Sequence, residues 1–226
     1  MIVTIPNVLN AEEVARCREA LAQAAWVDGK ESAGEQARDV KRNVQIRINS
    51  QTYEALGDMI LHALGRNALF NSVAIPLRVR SPMFNRYDVG MSYGAHVDGA
   101  IHTVPGAPRM RADLSSTLFL CGPDEYDGGE LVIQRLHSTE TYKLNAGDLL
   151  VYPTDTIHSV SPVTRGARLA AFFWTQSTVR SHEQRAILHE LDMAIVQIRQ
   201  ELPDTHPAVL SLTNVYHNQL RLHADC

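Results

Sequence analysis

The chain has 226 residues, 45% of them apolar and 20% charged, and a formal net charge of −4. That balance excludes a disordered chain, fits one full core with a small appendage, and offers no general attraction to a nucleic-acid backbone or an anionic membrane. Cys17, Cys121 and Cys226 are widely spaced with no CxxC pair, so neither a disulfide framework nor a thiolate zinc site is expected; two read as buried small hydrophobes and Cys226 as a terminal residue.

The N-terminal MIVTIPNVLNAEE lacks the basic and long apolar regions of a secretory signal, and no later run approaches the ~20 apolar residues of a membrane span, so a cytoplasmic protein is expected. Asn10 with Glu13 reads as a helix N-cap with its acid, and Val14, Cys17 and Leu21 follow at helical spacing, which predicts a helix over 11–25. A second helix is predicted over about 51–65, with Tyr53, Leu56, Ile60 and Leu64 on one face and Gly57 weakening it. The polar stretch DGKESAGEQARDVKRN between them reads as a solvated surface loop.

From Ile75 to about Trp174 short β-type runs such as DLSSTLFL, GELVIQRL, DLLVYP and RLAAFFW alternate with the breaks GPDEYDGG, NAGD and PVTRG, the texture of a β-sandwich or barrel. After Thr178 the helical period returns, with Ile187, Leu188, Leu191, Ile195, Ile198 and Leu202 forming an apolar stripe before Pro203. Pro207 opens a last segment carrying Leu210, Val215 and Leu220. A helical hairpin packed on the β-core is expected, with surface histidines at 182, 189, 206, 217 and 223, where no tight ligand spacing occurs.

The chemistry-bearing set begins in GAHVDGA, where His96 and Asp98 stand one residue apart between glycines. A strand through NRYDVGMSYGAHVD would bring Tyr87, Tyr93, His96 and Asp98 to one region, because alternate residues share a face and the glycines permit a sharp bend. The third candidate is His158, after DLLVYP. A hairpin centred on Val163 would set His158 directly opposite Arg168, with Cβ atoms ~5 Å apart. A buried guanidinium is costly without an anion, so that pair makes sense where an anionic ligand of a metal reaches Arg168 with its far carboxylate. Two histidines and one carboxylate suit non-haem Fe(II), leaving positions for a chelating co-substrate and dioxygen.

The stretches RYDVGMSYGAHVD, DGGEL, AGDLLVYP and HSVSPVTRGARLAAFFWTQS resemble the iron- and 2-oxoglutarate-dependent dioxygenases of the prolyl 4-hydroxylase type, and more narrowly the bacterial PKHD-type hydroxylases, over roughly residues 77–178. The resemblance implies an α+β fold: a double-stranded β-helix, or jelly-roll, core over about 75–178 with N-terminal helices packed on it, within a dioxygenase domain of 1–178, and a C-terminal helical extension over 179–226. It implies His96, Asp98 and His158 as iron ligands, Arg168 on the distal carboxylate of 2-oxoglutarate, and Tyr87 and Tyr93 lining the co-substrate pocket. Collagen-type relatives use lysine where this chain has Arg168, so a bidentate contact is expected here. L-ascorbate would keep the iron reduced. The implied reaction hydroxylates a C–H bond while 2-oxoglutarate loses CO2 to give succinate. The prime substrate is a small molecule or a peptide; the family's association with iron uptake also allows a siderophore-like compound. A homo-oligomer through the C-terminal helices is a further expectation.

Two other classes fit parts of the pattern. A zinc hydrolase would use the same ligands but needs a water-activating base, and no HExxH supplies one. A non-catalytic jelly-roll module could sense a metal or an oxo acid. Elsewhere, Asp127-Gly-Gly reads as a hairpin turn, Asp148 as the close of a turn, Phe172 and Trp174 as core or pocket wall, and Arg109 and Arg111 as part of a 99–112 loop that is either solvated or covers the site.

Overall fold

The computed structural model describes residues 1–32, 34–103 and 108–225. The N-terminal part contains β1 (Val3–Ile5), α1 (Ala11–Ala22), β2 (Trp26–Asp28), α2 (Glu35–Arg38), β3 (Lys41–Arg42), β4 (Val44–Ile46), α3 (Gln51–Arg66) and α4 (Ala68–Ala74). The central part contains β5 (Pro76–Val79), β6 (Met83–Tyr87), β7 (Ser92–His96), β8 (Ile101–His102), β9 (Met110–Arg111), β10 (Leu114–Phe119), β11 (Asp127–Gly128) and β12 (Leu131–Gln134). It continues with β13 (Thr139–Tyr142), β14 (Leu149–Pro153), β15 (Ile157–Val160), β16 (Val163–Arg165) and β17 (Arg168–Ser177). Helices α5 (His182–Glu201) and α6 (Pro207–His223) follow.

Two antiparallel sheets form the core. The larger runs β1-β14-β10-β17-β6-β4-β2 with β5 also on β17, and the smaller runs β13-β12-β15-β7-β3. Alternation along β14 shows the division of labour: Leu149 and Val151 join the core under the helices, while Leu150 and Tyr152 join a second cluster with Leu131, Ile133 and Val160 of the small sheet. The large sheet is thus covered by helices on one face and by the small sheet on the other, the predicted jelly roll with helices packed on it.

The capping box at Asn10 forms in full, with Glu13 reaching back to the Asn10 N–H, and α1 buries Val14, Cys17 and Leu21 as predicted. Ser50 caps α3, which buries Tyr53, Leu56, Ile60 and Leu64. Gly57 costs helix propensity, but a Cβ there would lie 2.7 Å from Ser81 Oγ, so close approach of the chain explains it. Cys17 and Cys121 are buried free thiols; Cys226 lies outside the described residues.

The expected loop between α1 and α3 is a correction. It holds α2 and β3 and is flanked by β2 and β4, with β3 joining the small sheet on β7 and β4 the large sheet on β6. Lys41 and Asn43 in it are buried, as is Gln45 of the adjoining β4. Polar residues on very short strands carry no readable alternation, which is why the segment looks solvated.

The C-terminal hairpin also differs in detail. Helix α5 packs chiefly on α4, and α6 chiefly on α5. Ser72 of α4 meets His189 Nδ1 of α5 at 2.9 Å. Leu188 and Ile195 are buried, but Ile187 is 63% exposed and does not belong to the buried stripe. The chain end is tied back where the Asp225 N–H donates to Thr178 O at 2.7 Å. Among the described residues no helix is long and apolar enough to cross a membrane.

Candidate metal centre and its cavity

His96 and His158 are direct cross-strand partners on β7 and β15. From that pair the register slips: Val160 faces Tyr93, so three steps on β7 span two on β15. The extra residue is a bulge at Gly94–Ala95, and it returns Tyr93 to the side of the sheet that His96 occupies. Their rings stack at 3.6 Å and 18°. Gly94 permits the bulge to lie against β3, because its N–H donates to Val40 O at 2.9 Å and a Cβ would stand 2.8 Å from Val40 Cβ.

Each imidazole is oriented by its own chain. His96 Nδ1 lies 2.8 Å from Gly94 O, and His158 Nδ1 lies 3.1 Å from Thr156 O. A carbonyl only accepts, so Nδ1 carries the proton and the Nε2 lone pairs are left for a ligand. Both Nε2 atoms face Asp98, at 3.9 and 3.7 Å from its carboxylate oxygens. One ligand atom from each of His96, Asp98 and His158 lies within 4.8 Å of the others. Burial, reinforced by His158, pushes His96 down to about 4, which favours the neutral ring that a metal needs.

Asp98 is held from the opposite sheet. Its Oδ2 accepts from Ser115 Oγ at 2.7 Å and from the Trp174 indole N–H at 2.9 Å. Ser115 and Trp174 are themselves register partners on β10 and β17, so a single rung of the large sheet fixes the carboxylate. Sequence reasoning placed Trp174 only as wall or core and passed over Ser115. The signal was present in DLSSTLFL, where inward polar residues interrupt an otherwise apolar strand.

Arg168 corrects the predicted hairpin. It opens β17 on the large sheet, opposite Tyr87 of β6, whereas His158 lies on the small sheet opposite His96 and Ile133. The intervening β16 pairs with β11 and does not fold β15 onto β17. Arg168 and the three-residue set nevertheless share a cavity of about 360 Å³ between the sheets, lined also by Tyr87 and Tyr93. The guanidinium lies 5.3 Å from the Tyr87 and Phe119 ring centroids. Arg168 is 1% exposed and its Nε has no hydrogen-bond partner among the described residues. A cation so enclosed calls for an anion. Burial pushes the Tyr87 phenol up to about 12, so it stays a neutral donor.

Other lining residues were not foreseen. Lys41 of β3 has its Nζ 5.2 Å from the Tyr93 ring and 5.6 Å from the Phe172 ring, and burial lowers it to about 8 against the pull of Asp98 and Asp28. Arg80 and His102 line the cavity beside Trp174. By contrast Asp127 pairs with Arg165 on the surface, Asp148 accepts from the Asn7 N–H, and Arg111 pairs with Asp113. Residues 104–107 of the expected covering loop lie outside the described residues.

The donor set suits Fe(II). Residues 82–176 match the 2OG-Fe(II) oxygenase superfamily, and residues 182–225 match the PKHD-type hydroxylase C-terminal domain. The chain is 55% identical to a PKHD-type hydroxylase of Gluconobacter oxydans over 226 residues, covering 100% of both chains, and 50% identical to one of Paracoccus denitrificans with the same coverage. The fold is similar to that of a Pseudomonas putida prolyl-4-hydroxylase, with TM-score 0.51 and 21% identity over 78% of this chain and 92% of that one. It is also similar to HygX from Streptomyces hygroscopicus, solved with nickel and 2-oxoglutarate bound, with TM-score 0.53 and 16% identity over 78% and 83% of the respective chains. With identity of this order running from end to end, the chain belongs to the PKHD-type hydroxylases of the 2OG-Fe(II) oxygenase superfamily.

Proposed function

We propose that in this Fe(II)- and 2-oxoglutarate-dependent hydroxylase His96, Asp98 and His158 hold the iron and Arg168 receives the distal carboxylate of 2-oxoglutarate. Bound Fe(II) supplies the oxidising chemistry, in which one oxygen atom of O2 enters a substrate C–H bond and the other enters succinate as CO2 leaves 2-oxoglutarate. The observation that carries the assignment of Arg168 is its buried guanidinium, with an unpartnered Nε, in the same cavity as the three ligand-type side chains.

The chain's own part is orientation and exclusion of water. The Gly94 and Thr156 carbonyls keep both Nε2 atoms directed inward. Ser115 and Trp174 hold one oxygen of Asp98 and leave the other for the metal. Tyr87 walls the co-substrate end against Arg168, and Tyr93 packs on His96. The enclosing aromatic surface keeps the site dry, which strengthens the Arg168–carboxylate attraction. Asp98 is the one carboxylate among the described cavity residues, so a zinc-hydrolase reading has no second carboxylate there to serve as its base.

Residues 1–178 form the oxygenase domain in this reading and 179–226 an extension that can serve as an oligomer contact. L-ascorbate maintains the ferrous state, the protein works in the cytoplasm, and the substrate is a small molecule or peptide, with iron acquisition as the candidate setting. Anaerobic Fe(II) with 2-oxoglutarate should produce a visible charge-transfer band, and admitting oxygen should release succinate. A band with no succinate would leave a sensor; no 2-oxoglutarate uptake at all would overturn the reading.

A further inference from the structure

The partly exposed side of the cavity carries a second set of donors, apart from the iron ligands and Arg168. Arg80, just after β5, places its guanidinium carbon 5.3 Å from the Trp174 ring centroid and its Nη1 2.8 Å from His102 Nδ1. The His102 ring lies on Trp174 with centroids 4.1 Å apart. Arginine can only donate, so His102 Nδ1 accepts and the proton sits on Nε2. That Nε2 is buried and has no partner among the described residues. Burial, then the adjacent Arg80, lowers His102 to about 4, consistent with the neutral ring that this hydrogen bond requires.

Charge balance points the same way. A divalent ion, Asp98, dianionic 2-oxoglutarate and Arg168 compensate one another. Lys41 is faced by Asp28 in addition to Asp98, so a carboxylate outside that sum is left for it. Arg80 forms no ion pair with a carboxylate among the described residues, and its surroundings are aromatic. A guanidinium and an imidazole N–H beside a flat indole match a planar oxyanion.

We propose that Arg80 and His102, held against the face of Trp174, form a subsite for a carboxylate on the molecule being hydroxylated, so the prime substrate is an organic acid. This rests on the function proposed above. Because the Trp174 N–H binds Asp98 while its ring lies beneath Arg80 and His102, the carbons nearest that carboxylate are the ones brought toward the metal.

The test uses the full chain loaded with Zn(II), which does not support the oxidation, and saturating 2-oxoglutarate, so that the metal and Arg168 are already engaged. Butanoate, hexanoate and phenylacetate are titrated by calorimetry and tryptophan fluorescence, each beside its primary amide. An acid should bind at least about tenfold more tightly than its amide, and Arg80→Gln and His102→Phe should each remove most of that preference while 2-oxoglutarate affinity stays within about twofold. Equal binding of acids and amides, or an undiminished preference in Arg80→Gln, overturns the proposal. A large loss of 2-oxoglutarate affinity in Arg80→Gln overturns it too, by placing the co-substrate there. If the parent takes up no 2-oxoglutarate with metal, the proposed function fails instead; the acid-against-amide comparison is then read on metal-free Arg168→Met, where loss of the preference on adding Arg80→Gln supports the subsite and its persistence overturns it.

Discussion

The two sheets that enclose the cavity contribute different kinds of residue. The small sheet provides both histidines, each fixed by a carbonyl two residues earlier in its own chain. The large sheet provides Arg168, Ser115 and Trp174, which act on what the other side presents. Histidine geometry is therefore local to one sheet, whereas the hold on Asp98 and, in the proposed function, the reception of the co-substrate by Arg168 depend on how the two sheets are spaced.

That contrast orders the expected effects of substitution. Removing a ligand should do most: Asp98→Ala or His158→Ala should abolish metal-dependent succinate release while circular dichroism shows the fold retained. A fully active variant at either position would break the assignment. Next is Arg168→Met, which should raise the 2-oxoglutarate requirement by roughly one to three orders of magnitude, at ~1.4 kcal/mol per tenfold, with Fe(II) affinity changed far less. Arg168→Lys should fall between, keeping charge without the fork. Parent-like dependence in Arg168→Met would remove the large sheet from co-substrate binding.

A smaller effect is expected from Trp174→Phe, which keeps the aromatic wall but deletes one hydrogen bond to Asp98. Metal affinity should drop by ~10–100-fold, the usual range for losing a partner of a ligand. Unchanged affinity, measured by competition with a chelator, would mean that the small sheet positions Asp98 unaided. Gly94→Ala should leave the ligand set in place and act on stability, since the new Cβ meets Val40; a loss of about 1–3 kcal/mol in denaturant unfolding is the size typical of overpacking. An equal or higher unfolding midpoint would show that β3 yields easily.

That the candidate residues come together was legible because local order carried them. His96-x-Asp98, His158 and Arg168 each stand beside turn residues or at a strand end, and all four meet in one cavity. The way they meet was not legible. PVTRG looks like a turn that reverses a hairpin, yet Val163–Arg165 pairs with Asp127–Gly128 and carries the chain from one sheet to the other. A turn signal reports that direction changes, not which sheet receives the next strand. Lys41, Asn43 and Gln45 were hidden for a related reason: their burial is imposed by β6 and β7, which lie far along the chain. In the tail the helical period was readable, but two adjacent positions, Ile187 and Leu188, cannot share one face, and the contact with α4 decides between them.

The bulge at Gly94–Ala95 makes the site sensitive to length in a way that is separate from composition. Ala95 is exposed, so exchanging its side chain should be nearly silent. Deleting it would leave two steps against two, so Tyr93 and His96 would keep one face, but Gly94 would then directly precede His96 and its carbonyl would no longer stand where it accepts from Nδ1. Across a library of single-codon changes, position 95 should therefore accept most replacements and reject removal, the opposite of an ordinary surface loop.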